Sequence, residues 1–115
     1  MSYLSIEAFL INFLNSRLEV AVSGDIPTPR PPRFVTLEQT GSRTENYIYH
    51  TTLAVQAWAK TRADAGELIE EVKAAMAKAI EQPKVSSCKL ETDYYFPELE
   101  TKSPRYQAIF QITYL

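Results

Sequence analysis

The residues able to do chemistry are few. His50 is the sole histidine and Cys88 the sole cysteine. A metal centre or an acid–base pair needs partners at defined spacing, and neither a second histidine nor a nearby cysteine is present. His50 therefore reads as a structural or solvent-facing strand residue. Cys88 falls on the apolar face of a predicted strand. A thiol there acts as a small hydrophobe and lacks the exposed, electropositive setting of a reactive thiolate. Glu98 and Glu100, with Asp93 nearby, are the only close carboxylates of interest. Acid–base work needs a cleft that separates their pKa values, whereas these lie among Pro, Lys and Ser in a solvated loop. Gly24, Gly41 and Gly66 are too dispersed for a phosphate-binding loop. The expectation is a protein with no catalytic residue, no cofactor and no metal.

Aromatic residues carry more information. Trp58 shares a strand face with Thr52, Ala54 and Gln56, opposite Leu53, Val55 and Ala57. An aromatic on the polar face of a strand often marks a protein interface; the alternative is a sheet covered by helices on both faces. Tyr94, Tyr95 and Phe96 lie in series, so they cannot all share one face. The candidate interface residues are Trp58 and Tyr47, in one predicted hairpin, and Tyr95, Phe96 and Leu99, around a proline-bracketed loop. The segment from Ile26 to Pro32 holds four prolines. It can be read as a polyproline ligand for an aromatic groove. Its poor charge spacing and its closeness to predicted strands favour a stiff connector crossing the end of a sheet.

The elements that must position these residues follow from periodicity. Residues 3–17 predict an amphipathic helix, with Ile6, Phe9, Leu10, Phe13 and Leu14 on one face and Ser2 or Ser5 as N-cap. Leu18 to Val22 predicts a short strand, ended by Ser23-Gly24-Asp25. Arg33 to Gln39 and Tyr47 to Ala59 predict a long hairpin, with the polar segment 40–46 as its turn or loop. A second helix is expected from Thr61 to about Glu81. Thr61 is its N-cap, and its apolar stripe runs through Leu68, Ile69, Val72, Met76 and Ile80 before Pro83 stops it. Val85 to Tyr95 alternates, with Cys88, Leu90, Thr92 and Tyr94 on one face. Arg105 to Leu115 alternates through Tyr106, Ala108, Phe110, Ile112 and Tyr114. These last two strands predict an antiparallel hairpin. The expected fold is α+β, a mainly antiparallel sheet with two packed helices in the order α-β-β-β-α-β-β, forming one domain over residues 1–115.

Composition limits the function classes. A formal net charge of −2 gives no basic footprint for nucleic acid and disfavours anionic membranes. Arg30, Arg33, Arg43 and Lys60 read as scattered between Pro-rich, turn and strand-end positions. One cysteine cannot form an internal disulfide. The N-terminus lacks the features of a signal peptide, and no apolar run reaches the ~20 residues of a membrane span. A soluble protein made in a reducing cytoplasm is expected.

Three stretches together resemble a known family. They are Pro31-Pro32-Arg33-Phe34-Val35-Thr36-Leu37-Glu38-Gln39-Thr40-Gly41, then Thr51 to Ala59, then Ala63 to Met76. They resemble the tail terminator, or tail completion, proteins of long-tailed bacteriophages. In that family a Pro-rich lead opens a strand ending at a glycine turn; a second strand and an Ala-, Glu- and Leu-rich helix follow. The resemblance implies a structural virion protein and no enzyme. It implies a homo-oligomeric ring, usually a hexamer, on the head-proximal end of the tail tube. The expected partners are other copies, the major tail tube protein and a head-completion or neck protein. Genome DNA would pass through the lumen without specific binding. The alternatives are another head–tail joining protein of the virion and a non-phage α+β adaptor or ligand-binding domain.

Overall fold

A computed structural model of the protein describes residues 5–115. The first helix, α1, spans Ile6–Arg17; Ser5 caps it, its hydroxyl accepting from the Ala8 amide. The other N-cap candidate, Ser2, and helix positions 3 and 4 lie outside the described residues. The strands are β1 (Ala21–Ser23), β2 (Phe34–Glu45), β3 (Ile48–Trp58), β4 (Val85–Tyr95) and β5 (Arg105–Tyr114). The second helix, α2, spans Arg62–Ala77 between β3 and β4. The fold is α+β in the expected order. Its five strands lie in the spatial order β1-β2-β3-β5-β4. Only β1 and β2 are parallel; β2–β3, β3–β5 and β4–β5 are antiparallel.

Both helices lie on one face of the sheet. Leu10 and Leu14 from α1, and Leu68, Ile69, Val72 and Met76 from α2, are buried against Val35, Leu37, Leu53, Val55, Ala108, Phe110 and Ile112. Thr61 caps α2 by accepting from the Asp64 amide at 3.1 Å, as its position before Asp64 predicts. The helix is shorter than expected. It tightens into a 3₁₀ turn over Lys78–Glu81, and the change of pitch leaves Ala79 buried but swings Ile80 out to solvent.

α1 also closes the β1–β2 side of the sheet. The Asn15 amide both donates to the Val22 carbonyl (2.9 Å) and accepts from the Val22 N–H (3.0 Å), in the manner of a neighbouring strand. The Glu7 carboxylate accepts from the Gln39 N–H at 2.9 Å. Otherwise unpaired backbone groups are thereby satisfied.

Two departures from expectation have local causes. The polar run 40–46 is not a loop: β2 continues through it to Glu45, and the turn is only Asn46 and Tyr47, both at positive φ (51° and 66°). A bulge at Thr40 carries the strand past the helices. Thr51 pins it, accepting from Gln39 Nε2 and donating to the Gly41 carbonyl, both at 2.8 Å. In β4 the strict alternation fails. A bulge between Leu90 and Thr92 reverses the faces, so Asp93 and Tyr95 pair with Ala108 and Tyr106 on the helix side. Thr92 and Tyr94 thus leave the face of Cys88 and Leu90. Lys73 of α2 reaches Asp93 at 3.0 Å, which places that carboxylate under the helix.

Candidate functional site

Strand register gathers one end of the sheet around a single residue. Phe34 opens β2, Trp58 closes β3 and Arg105 opens β5, and the three are paired in line. Trp58 stacks on Phe34 with centroids 5.2 Å apart. Arg105 and Arg30 place their guanidinium carbons 4.8 and 5.4 Å from the Trp58 ring centre. Trp58 is therefore only 2% exposed. This corrects its candidacy as a surface interface residue. Among the described residues no second helical layer hides it; Phe34 and the two arginines do, by lying against its ring at the end of the bare face.

The other candidates separate into three places. Phe96 is 43% exposed and joins Trp58 through Arg105, whose guanidinium carbon lies 4.5 Å from the Phe96 ring. Arg105 Nε also donates to the Phe96 carbonyl at 2.7 Å. Leu99, in the same loop, is 91% exposed. Tyr95 faces the helices, against Tyr106 and beneath Arg62. Tyr47 stands at the opposite end of the sheet, on the hairpin tip, also 91% exposed. Phe96 and Leu99 thus share the connection between β4 and β5, and Tyr47 stands apart from them.

The helix-free face is polar and bonded to itself. Trp58 Nε1 donates to Thr36 Oγ1 (3.0 Å), Thr36 to Gln56 Oε1 (2.7 Å), Gln56 Nε2 to Gln107 Oε1 (2.6 Å), and Gln107 Nε2 to the Tyr94 hydroxyl (2.6 Å). This row crosses β2, β3, β5 and β4. Thr36 and Gln107 are buried in it, which needs such partners to be tolerable. A second row joins Thr52 to Gln111 and Gln111 to Glu91. His50 lies on the same face, its Nδ1 3.3 Å from the Thr113 hydroxyl.

Cys88 is partly covered beside the core, and burial pushes its thiol up to about 11. At neutral pH it is a protonated thiol, a poor nucleophile. Among the described residues no group of three or more His, Cys, Asp and Glu side chains could hold a metal ion.

The feature that the sequence reading missed is cationic. Arg30, Lys60 and Lys102 line one hollow of about 470 Å³ at the Trp58 end, with the Thr101 and Ser103 hydroxyls and Pro104 on its wall. Arg105 lies against the same Trp58. Arg30 and Lys60, which read as scattered, line one hollow, whereas Arg33 pairs with Glu71 of α2 at 3.0 Å and Arg43 with Glu45 on the hairpin. Glu98 answers part of this charge. Arg30 donates to both its oxygens, at 3.2 and 3.5 Å. The Thr101 hydroxyl donates to it as well, and that bond, with Arg30 behind it, lowers its carboxyl pKa from the ordinary value.

No family model matches the chain, and no curated protein matches it in sequence. Among the described residues no helix is long and apolar enough to cross a membrane.

Proposed function

We propose that the chain is a tail terminator of a long-tailed phage. Copies assemble as a ring, hexameric in the family it resembles, on the head-proximal end of the tail tube. The ring stops tube growth, presents the docking surface for a head-completion protein and lets DNA pass through its lumen. The protein then belongs to the virion and acts by assembly, without catalysis.

The observation that carries this reading is the asymmetry of the sheet. On one side α1 closes the edge at Val22 and Gln39, leaving only the projecting hairpin beyond the Thr40 bulge. On the other, β4 is the outermost strand, irregular at its two bulges. Two unlike sides suit heterologous contacts between copies, and such contacts generate a ring when the rotation between copies closes. The order of elements and the resemblance of residues 31–41, 51–59 and 63–76 support the same reading.

The test uses tail tubes. Purified protein added to polymerising tube subunits should shorten the tubes and appear at one end only by electron microscopy. Decoration along the tube, or no effect in several phage systems, would sink the assignment and leave a neck or adaptor role.

A further inference from the structure

The hollow at the Trp58 end has a chemistry that the structural account of the fold does not use. Arg30, Lys60 and Lys102 converge on it, and only Arg30 is matched. Among the described residues neither Lys60 nor Lys102 has an ion-pair partner within 4.0 Å. Exposed lysines are common, and alone they would mean nothing. Here they share a concave site with two hydroxyls and an arginine fork, in a chain whose net charge is −2. The fork already shows what it accepts. Glu98 sits on it through both carboxylate oxygens and takes a third bond from Thr101. Ser103 lies 2.8 Å from Thr101 and within 3.4 Å of Arg30. The wall is partly apolar: Pro31, Pro32, Phe34, Ala59 and Pro104 line the same hollow.

We propose that this hollow is a recognition site for an acidic, apolar segment of a partner protein. Lys60 and Lys102 take its carboxylates, and the proline-lined wall takes its apolar side chains. A carboxylate ligand is favoured over a nucleic-acid phosphate for two reasons. Glu98, held there by Arg30 and Thr101, is itself a carboxylate in this setting. The cations also converge on a walled hollow, whereas a backbone-tracking surface would string them along a stripe. Proline walls (Pro31, Pro32 and Pro104) keep the site open at little entropic cost to the free protein. The inference stands apart from the tube-capping reading, because it needs only the folded chain.

Trp58, the sole tryptophan, lines the hollow and reports on it. A synthetic peptide alternating glutamate with leucine is titrated into the full-length protein, following Trp58 fluorescence and, in parallel, the amide resonances of Lys60 and residues 101–103. Saturable binding is expected, weakened roughly tenfold by Lys60→Glu with Lys102→Glu and unchanged by Arg43→Glu on the distant hairpin. Both lysines are outside the core, so thermal melts should show the double variant folded. A lysine–leucine peptide should not bind. Binding of inorganic phosphate or a short DNA duplex without the acidic peptide would overturn the proposal. So would silence in both readouts, or acidic-peptide binding indifferent to the lysines. Each result leaves the tube-capping experiment untouched.

Discussion

The two faces of this sheet are buried by different means. On the covered face, α1 and α2 press an apolar stripe onto alternate strand residues, and the interactions are non-directional packing. On the bare face, Thr36, Ala54, Trp58 and Gln107 are also buried, although among the described residues no helix lies above them. There, strand neighbours and arginines lie flat over the sheet, and the polar atoms bond to one another. The difference teaches that a two-layer protein can extend its ordered interior past its second layer. The condition is that each buried polar atom finds a partner.

Several changes would break or sharpen this contrast. The largest effect is expected from Val72→Asp, which places a carboxylate in the middle of the covered face. Loss of cooperative folding, or a destabilisation above about 4 kcal/mol, should appear in thermal and urea melts. A variant that melts like wild type would mean that α2 does not lie on the sheet. Trp58→Ala comes next, at about 3–5 kcal/mol. A cost below about 1 kcal/mol would show that the bare face contributes little to stability. Gln107→Leu keeps the volume but interrupts the row between Gln56 and Tyr94. It should cost about 1–3 kcal/mol by stranding its neighbours, while the exposed Gln111→Leu should cost less. Comparing the two by denaturant titration separates buried from surface hydrogen bonding.

The smallest change concerns Cys88 at the margin of the covered face. Its thiol is raised from 9.0 to about 11. Its contribution to stability is therefore complete below pH 9 and is lost as pH rises through about 11, because the unfolded thiol ionises first. At neutral pH, Cys88→Ala should alter stability little. Iodoacetamide at pH 8 should modify the folded thiol at least about tenfold more slowly than a peptide cysteine. Equal rates would mean that the thiol is open to water.

Much of the covered face was legible in the sequence, because it obeys one rule at a time. The 3.6 period marked Leu68, Ile69, Val72 and Met76, and the twofold period marked Ala108, Phe110 and Ile112. Both sets are buried. What was not legible depends on geometry between distant segments. The run 40–46 looks like a loop because both faces of a projecting hairpin are wet and no apolar alternation remains to announce a strand. The β4 bulge near Glu91 leaves no sign in residue type, yet it decides that Tyr94 and not Asp93 joins the bare face. The cationic hollow draws on residues 30, 60 and 102, which only the pairing of Phe34 with Trp58 and Trp58 with Arg105 brings together. Of the interface candidates, Phe96, Leu99 and Tyr47 are exposed, whereas the two arginines that cover Trp58 could not be foreseen from its strand position.

The row from Trp58 to Tyr94 has a direction. An indole N–H can only donate. Thr36 must therefore receive from it and turn its own proton toward Gln56, and each glutamine in turn shows its oxygen to the previous residue and its nitrogen to the next. One fixed donor thus sets the orientation of two amides that could otherwise flip end for end. At the last step the Tyr94 oxygen accepts a hydrogen bond from Gln107, so its own hydroxyl hydrogen points out of the row. Tyr94 is 41% exposed, and the bare face ends there in a donor. An acceptor on a molecule settling at that corner would continue the row. Replacing Trp58 with Phe would remove the terminus that sets this polarity, and the far edge of the sheet, two strands away, would lose its preference for what it meets.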